Sequence, residues 1–110
     1  MTSYNLINGT HAANNHDLIQ AVARDEFGFE GVIMTDWYTS QDFTFGCIKK
    51  PVYPCSSSPM CIMAGNDWQM PGCEKNVTDI VDAVAEGTLP KADLQFCTCN
   101  ILRMAVKCFS

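Results

Sequence analysis

The stretch Arg24-Asp25-Glu26-Phe27-Gly28-Phe29-Glu30-Gly31-Val32-Ile33-Met34-Thr35-Asp36-Trp37 decides how this chain folds. It reads as a helix end, a tight turn, a short apolar strand, and then a carboxylate beside an indole at the strand's C-terminal tip. Gly28 is placed to close the helix as a left-handed cap. Val32-Ile33-Met34 is short, but an unbroken apolar run is what a parallel strand buried on both faces requires. The C-terminal tips of such strands are where a (β/α)8 barrel gathers its reactive groups. A carboxylate there can act as a nucleophile, and a flat aromatic beside it can stack on a sugar ring.

Upstream of this stretch, residues 1–5 read as a strand end, with Thr2 and Tyr4 suited to a pleated surface. Asn8-Gly9 marks a turn. Asn14-Asn15 caps a helix over about 16–27, whose Leu18, Ile19, Val22 and Ala23 recur at helical spacing. Downstream, residues 39–58 read as a long loop with scattered aromatics, and long loops are often functional. Ser58-Pro59 reads as an N-cap followed by proline at the first helical position, opening a short helix that stops at Gly65. Asp67-Trp68-Gln69-Met70 is the next strand, ended by Pro71-Gly72. A helix begins at Asn76 or Thr78, with Val77, Ile80, Val81 and Val84 on one face and Gly87 after its end. A last helix spans about 93–108, with Leu94, Cys97, Ile101, Leu102 and Ala105 as its inner stripe. Strands and helices alternate, which predicts a parallel α/β architecture.

The chain has 110 residues, one ordinary domain at most. Its 47% hydrophobic content predicts a packed core. A net charge of −5 with scattered Lys and Arg excludes a nucleic-acid footprint. No apolar run reaches the roughly 18 residues of a membrane span, and no signal peptide is legible. The seven cysteines are an odd number and contain no C-x-x-C pair. His11 and His16 lie far from them in sequence, so neither a disulfide framework nor a metal site is expected. Reduced, mostly buried thiols in the cytoplasm are the expectation. The sequons at Asn8 and Asn76 matter only in a secreted protein.

Several motifs together resemble a known family. Ser3-Tyr4-Asn5, Asn8-Gly9, Asn14, Arg24 to Phe29 and Thr35-Asp36-Trp37 are similar to the end of the barrel domain of glycoside hydrolase family 3. That family includes β-glucosidases, β-xylosidases and β-N-acetylglucosaminidases. Ala64-Gly65-Asn66-Asp67 with Met70-Pro71-Gly72 resembles the segment around that family's eighth strand. Ile101-Leu102-Arg103 resembles the helix that closes the barrel domain. The resemblance implies that residues 1–110 are a C-terminal fragment of a (β/α)8 TIM barrel, about strands 6–8 with their helices.

Carried over by residue, the resemblance implies Asp36 as catalytic nucleophile, Tyr4 as a phenol facing that carboxylate and the sugar, and Trp37 as a wall of the sugar site. A retaining glycosidase needs a second carboxylate about 5–5.5 Å away to protonate the leaving oxygen. The earlier strands, with their sugar-binding residues, and the acid/base have no counterpart in this chain. Asp67 invites pairing with Asp36, but the motif around it is structural in the family. Glu26 and Glu30 read as solvated charges. His11 either lines the cleft or bonds its own turn. The implied substrate is a β-linked glucoside or related glycoside, with no cofactor, no nucleic-acid partner and no membrane. The alternative is an inactive truncated α/β module that self-associates through exposed barrel edges or binds sugar weakly.

Overall fold

The computed structural model describes residues 1–39, 53 and 55–110. Near the start of the chain, Thr2 pairs in parallel with Thr35 as an isolated bridge. A two-residue hairpin follows, β1 (Leu6–Ile7) and β2 (Thr10–His11). Its turn, Asn8-Gly9, has φ of 50° and 80°. Positive φ at both turn residues matches the right-handed twist of a tight hairpin, and Asn-Gly is the pair that tolerates it best. A short 3-10 turn, Ala12–Asn14, leads into a helix over Asp17–Glu26. Asn15 Oδ1 accepts from the Leu18 N–H at 3.0 Å, satisfying one orphan donor at that helix's start. The helix is wound wide, with the Phe27 N–H reaching the Val22 carbonyl at 3.0 Å.

The next strand, β3 (Met34–Trp37), pairs in parallel with β4 (Trp68–Met70), Met34 against Trp68 and Trp37 against Met70, with an irregularity between. Helix α1 (Ser58–Ala64) lies between them in sequence, and α2 (Glu74–Glu86) and α3 (Lys91–Phe109) follow. The structure is α/β, as the alternation predicts. Its strands are shorter than the pattern suggests: two two-stranded sheets and the Thr2 bridge stand where three regular strands are expected. Of the first five residues only Thr2 forms a strand bridge, while the Asn5 carbonyl accepts from the Ala12 N–H at 3.0 Å. The apolar run Val32-Ile33-Met34 feeds β3 rather than forming it, since the Ile33 carbonyl and N–H are taken by Asp67 and Trp68.

Helix ends account for the other differences. The N-cap of α1 is Ser57, whose Oγ accepts from the Met60 N–H at 3.4 Å. Ser58 is itself helical and buried, where its Oγ accepts from Asn76 Nδ2 at 2.6 Å. Proline therefore sits in the second position, where its missing N–H is still an orphan. Helix α2 starts at Glu74, earlier than expected, because Asn76 reaches back with its Oδ1 to cap the Cys73 N–H at 2.9 Å. The same bonds bury Asn76, so the sequon there is closed in the folded chain. Helix α3 starts at Lys91 rather than Asp93, because Pro90 ends the preceding turn and Asp93 serves in the first turn.

Two apolar clusters meet at α1. Ile62 packs with Ala83, Leu89 and Cys97, backed by Met63, Ile80, Val84 and Leu94. Ala64 packs with Ile19 and Ile33, backed by Ala23. Val77, Val81 and Leu102, expected inside, are exposed. Val81 and Leu102 lie round from the Ile80–Val84 and Leu94–Cys97–Ile101 stripes, beyond the arc that faces the core, whereas Val77, nearly in line with Val84, sits at the first turn of α2. The thiols also divide differently from expectation. Cys61 and Cys97 are buried, while Cys55, Cys73, Cys99 and Cys108 are exposed; Cys47 and the loop over 40–52 lie outside the described residues. Burial pushes the Cys61 thiol up to about 11. Burial, then the Asp67 charge, pushes Cys97 up to about 12, with Arg24 opposing. No helix among the described residues is long and apolar enough to cross a membrane.

Asp67 ties the elements together. Its Oδ2 accepts from Arg24 Nη2 at 2.7 Å and from the Ile33 N–H at 2.7 Å, and its Oδ1 accepts from Asn100 Nδ2 at 2.9 Å. The carboxylate is wholly buried and the Arg24 side chain nearly so. Asp67→Ala is expected to destabilise the chain by about 3–5 kcal/mol, because it strands a buried guanidinium; denaturant titration checks it. In the native state a maleimide is expected to modify Cys99 and Cys108 well before Cys61 and Cys97, as peptide mass mapping over time would show.

Candidate active site

The site is built on the C-terminal tip of β3. The Thr2 N–H donates to the Met34 carbonyl at 2.8 Å and the Asp36 N–H to the Thr2 carbonyl at 3.1 Å. This two-bond ladder sets the register that carries Tyr4 past the end of the bridge to the level of Asp36. There the Tyr4 phenol comes under the influence of the Asp36 carboxylate and the Trp37 backbone. Asp36 Oδ1 accepts from the Trp37 N–H at 2.7 Å.

Partial desolvation of the phenol, then the Asp36 charge and its hydrogen bond, raise the Tyr4 pKa above 10.0, with the Trp37 N–H pulling it down. Asp36 is only partly buried, and an accessible carboxylate can attack an electrophilic carbon.

Trp37 is 53% exposed beside Asp36, so its indole face is open to a ligand. The chain then turns at once. Tyr38 has φ of 64°, a left-handed conformation that costs a tyrosine about 1–2 kcal/mol. Its N–H donates to the Met70 carbonyl at 2.9 Å, closing β3 onto β4. Thr39, buried, donates from Oγ1 to the Asp36 carbonyl at 3.0 Å.

The three residues singled out from the sequence thus come together: Tyr4, Asp36 and Trp37 share one end of one strand. Tyr38 was not legible as part of the site, because a left-handed tyrosine has no sequence signature; only the turn after an Asp-Trp pair hints at it. Asp67 lies at the other end of β3, against Ile33, with its bonding capacity used up by structural partners. It cannot pair with Asp36 in catalysis. Glu26 and Glu30 are exposed around the Gly28 turn at that same N-terminal end. His11 lies on β2, partly buried, with a partner of its own.

A cavity of about 740 Å³ lies between α3 and that turn, lined in part by Arg24, Phe29, Phe96 and Arg103. It belongs to the N-terminal end of β3 and plays no part in the Asp36 site. Among the described residues no group of three His, Cys, Asp or Glu side chains is placed to hold a metal.

Asp36, Tyr4 and Trp37 thus gather at one strand tip on an α/β frame. The glycosyl hydrolase family 3 N terminal domain matches residues 1–104, and the chain belongs to that family. It is 30% identical to beta-glucosidase B of Emericella nidulans over 113 residues, 99% of this chain and 12% of that protein. A 42-residue stretch, 38% of this chain and 6% of the relative, is 57% identical to an exo-alpha-(1->6)-L-arabinopyranosidase of Bifidobacterium breve. The fold is similar to beta-glucosidase 3B of Thermotoga neapolitana in complex with glucose, with a TM-score of 0.71 and 32% identity. That likeness covers 91% of this chain and 13% of the other. A beta-glucosidase from Paenibacillus barengoltzii gives a TM-score of 0.73 at 33% identity, over 94% of this chain and 12% of that one. The chain spans a small part of the length of each of these proteins.

The Tyr4–Asp36 contact has a spectroscopic consequence. In a background with Tyr38→Phe and Tyr53→Phe, the ultraviolet absorbance of the phenolate is expected to report Tyr4 titrating above its ordinary value. Asp36→Asn, which removes the charge, is expected to bring that titration down. An unchanged curve in Asp36→Asn would separate the two groups. The sign follows from the raised pKa: the folded chain favours neutral phenol, so the contact contributes to stability below pH 10 and is lost as pH rises through the folded value.

Proposed function

We propose that this chain carries the nucleophile half of a retaining β-glycosidase site, acting on a β-linked glucoside or a related glycoside. Asp36 attacks the anomeric carbon and forms a glycosyl ester as the bond to the leaving oxygen breaks; that oxygen takes a proton from an acid supplied outside this chain, and water later releases the sugar from the ester. Tyr4 presents its phenol to Asp36. Trp37 walls the sugar. The observation that carries this reading is the Tyr4–Asp36–Trp37 grouping at one strand tip. Family membership and the beta-glucosidase relatives support it. In this reading Thr2, β3 and β4 correspond to strands 6–8 of a (β/α)8 barrel whose other strands lie outside this chain.

The isolated chain is inactive or nearly so in this reading. Hydrolysis needs a second carboxylate as acid/base, and general acid–base catalysis supplies about 10²–10⁴-fold. Asp67 is unavailable for that role, and the resemblance gives no other residue to fill it. The half-site is therefore completed by residues beyond this chain.

A second reading, a non-catalytic module that self-associates, is favoured by one feature. An apolar groove of about 330 Å³ runs beside Thr2, lined by Leu18, Val22, Phe27 and Ile33 among others. Apolar surface of this kind invites association.

Treatment of an active protein containing this chain with a 2-fluoro β-glucoside, followed by peptide mass spectrometry, is expected to find the trapped sugar ester on Asp36. A label on any other carboxylate sinks the assignment. A monomeric isolated chain that hydrolyses an aryl β-glucoside would instead refute the half-site idea.

A further inference from the structure

The cavity of about 740 Å³ at the N-terminal end of β3 is walled by one face of α3 and by the turn that carries Phe29 and Glu30. Three of the chain's seven Lys and Arg residues line it, Arg24, Arg103 and Lys107, although the chain as a whole has a net charge of −5. Two of these cations already face a carboxylate: Arg24 meets Asp67 at 2.7 Å and Lys107 meets Glu30 at 3.8 Å. Arg103 does not. Its Nη1 donates to Asn100 Oδ1 at 3.1 Å, and no carboxylate among the described residues forms an ion pair with it. Asn100 is buried and donates in turn to Asp67 Oδ1 at 2.9 Å. The guanidinium is thus held from the core through one nitrogen, and its other donors are left for a ligand. Phe29, Phe96, Leu102 and Val106 line the same cavity, and all four are exposed.

We propose that this cavity binds a small organic anion, an oxyanion head group on an apolar body. The head group sits on Arg103, whose planar fork matches two oxygens of one carboxylate or sulfonate. Lys107 adds a second positive charge, since an exposed pair such as Lys107–Glu30 holds its partners only weakly. The body lies among Phe29, Phe96, Leu102 and Val106 and removes their apolar surface from water. The volume falls within the roughly 300–1,000 Å³ of small-molecule sites, which combine apolar walls with a few polar groups. A neutral ligand would leave the Arg103 charge unanswered. The cavity is at the opposite end of β3 from Asp36, so the proposal stands apart from the glycosidase reading.

Anilinonaphthalene sulfonate and its uncharged counterpart phenylnaphthylamine separate the anion from the apolar body. Fluorescence titration of the chain is expected to show saturable binding of the sulfonate at one equivalent. Arg103→Gln is expected to weaken it about tenfold while changing phenylnaphthylamine binding less than about twofold. Leu102→Glu, at a position 58% exposed where the fold tolerates a charge, sets a carboxylate against the anion and is expected to weaken the sulfonate at least as much. Cys99 lines the cavity and Cys108 does not. Bound sulfonate is therefore expected to slow maleimide capture of Cys99 and to leave Cys108 unchanged. Absence of saturable binding, equal loss of both dyes in Arg103→Gln, or sulfonate binding that neither variant alters overturns the proposal. So does a chain that sediments as a dimer with Cys99 shielded before any dye is added, since the occupant is then a second copy.

Discussion

The ion pair between Arg24 and Asp67 is the constraint on which the rest of the structure depends. Each group is buried, and each would be costly there alone. Asp67 is tolerated because Arg24, the Ile33 N–H and Asn100 use its oxygens together. Arg24 is tolerated because its guanidinium also donates to the Gly31 carbonyl at 3.1 Å and lies 5.4 Å from the centre of the Phe96 ring. Four parts of the chain are thereby joined at one point: the wide helix, the turn before β3, the start of β4 and the last helix. A buried pair of this kind adds little net stability over an apolar pair of the same shape. What it adds is a requirement that all four parts be in place at once.

Asn66, next to Asp67, continues the same logic without charge. Its side chain donates to the Ala13 and Cys61 carbonyls and accepts from Thr2 Oγ1 at 3.1 Å. Gly65 before it takes φ of 101°, and a Cβ there would strike the Gln20 amide. The Gly-Asn-Asp run therefore holds the first bridge, the hairpin's exit, α1 and the wide helix with three consecutive residues. Because Thr2 is anchored through Asn66, the ladder that delivers Tyr4 to Asp36 is referenced to the same buried point as β3 itself. The geometry of the site is inherited from the core.

How much of this the sequence disclosed depends on how local the cause is. The Asn8-Gly9 hairpin turn, Gly28 and Gly65 as left-handed caps, and the Asp36-Trp37 strand tip are short-range patterns, and all are where the pattern puts them. Helix α2 starts two residues before Asn76 and four before Thr78, because Asn76 caps from inside the helix, a contact completed by a serine eighteen residues earlier in the chain. Val81 and Leu102 were misread because helical spacing locates a stripe but not its width; the neighbouring elements fix how far round burial extends. The partners of Asp67 are 34 and 43 residues away for Ile33 and Arg24, so only a family resemblance suggested a structural role. Tyr38 was invisible for a different reason: its significance lies in a dihedral angle, which composition and spacing do not encode.

The two ends of β3 divide stability from chemistry. At the N-terminal end a carboxylate is saturated with partners, dry and immobile. At the C-terminal end a second carboxylate, two residues beyond Met34, is half-open, bonded by one N–H and neighboured by one phenol, and followed by a strained turn and an exposed indole. The same side-chain type is thus given opposite roles by its surroundings. Saturation makes Asp67 inert as an acid or base, since every oxygen that could accept a substrate proton is already engaged. Asp36, by contrast, is only partly buried and accepts the Trp37 N–H on one oxygen. The left-handed turn at Tyr38 lies at this second end, where local strain is tolerated because the core at the other end already fixes the fold.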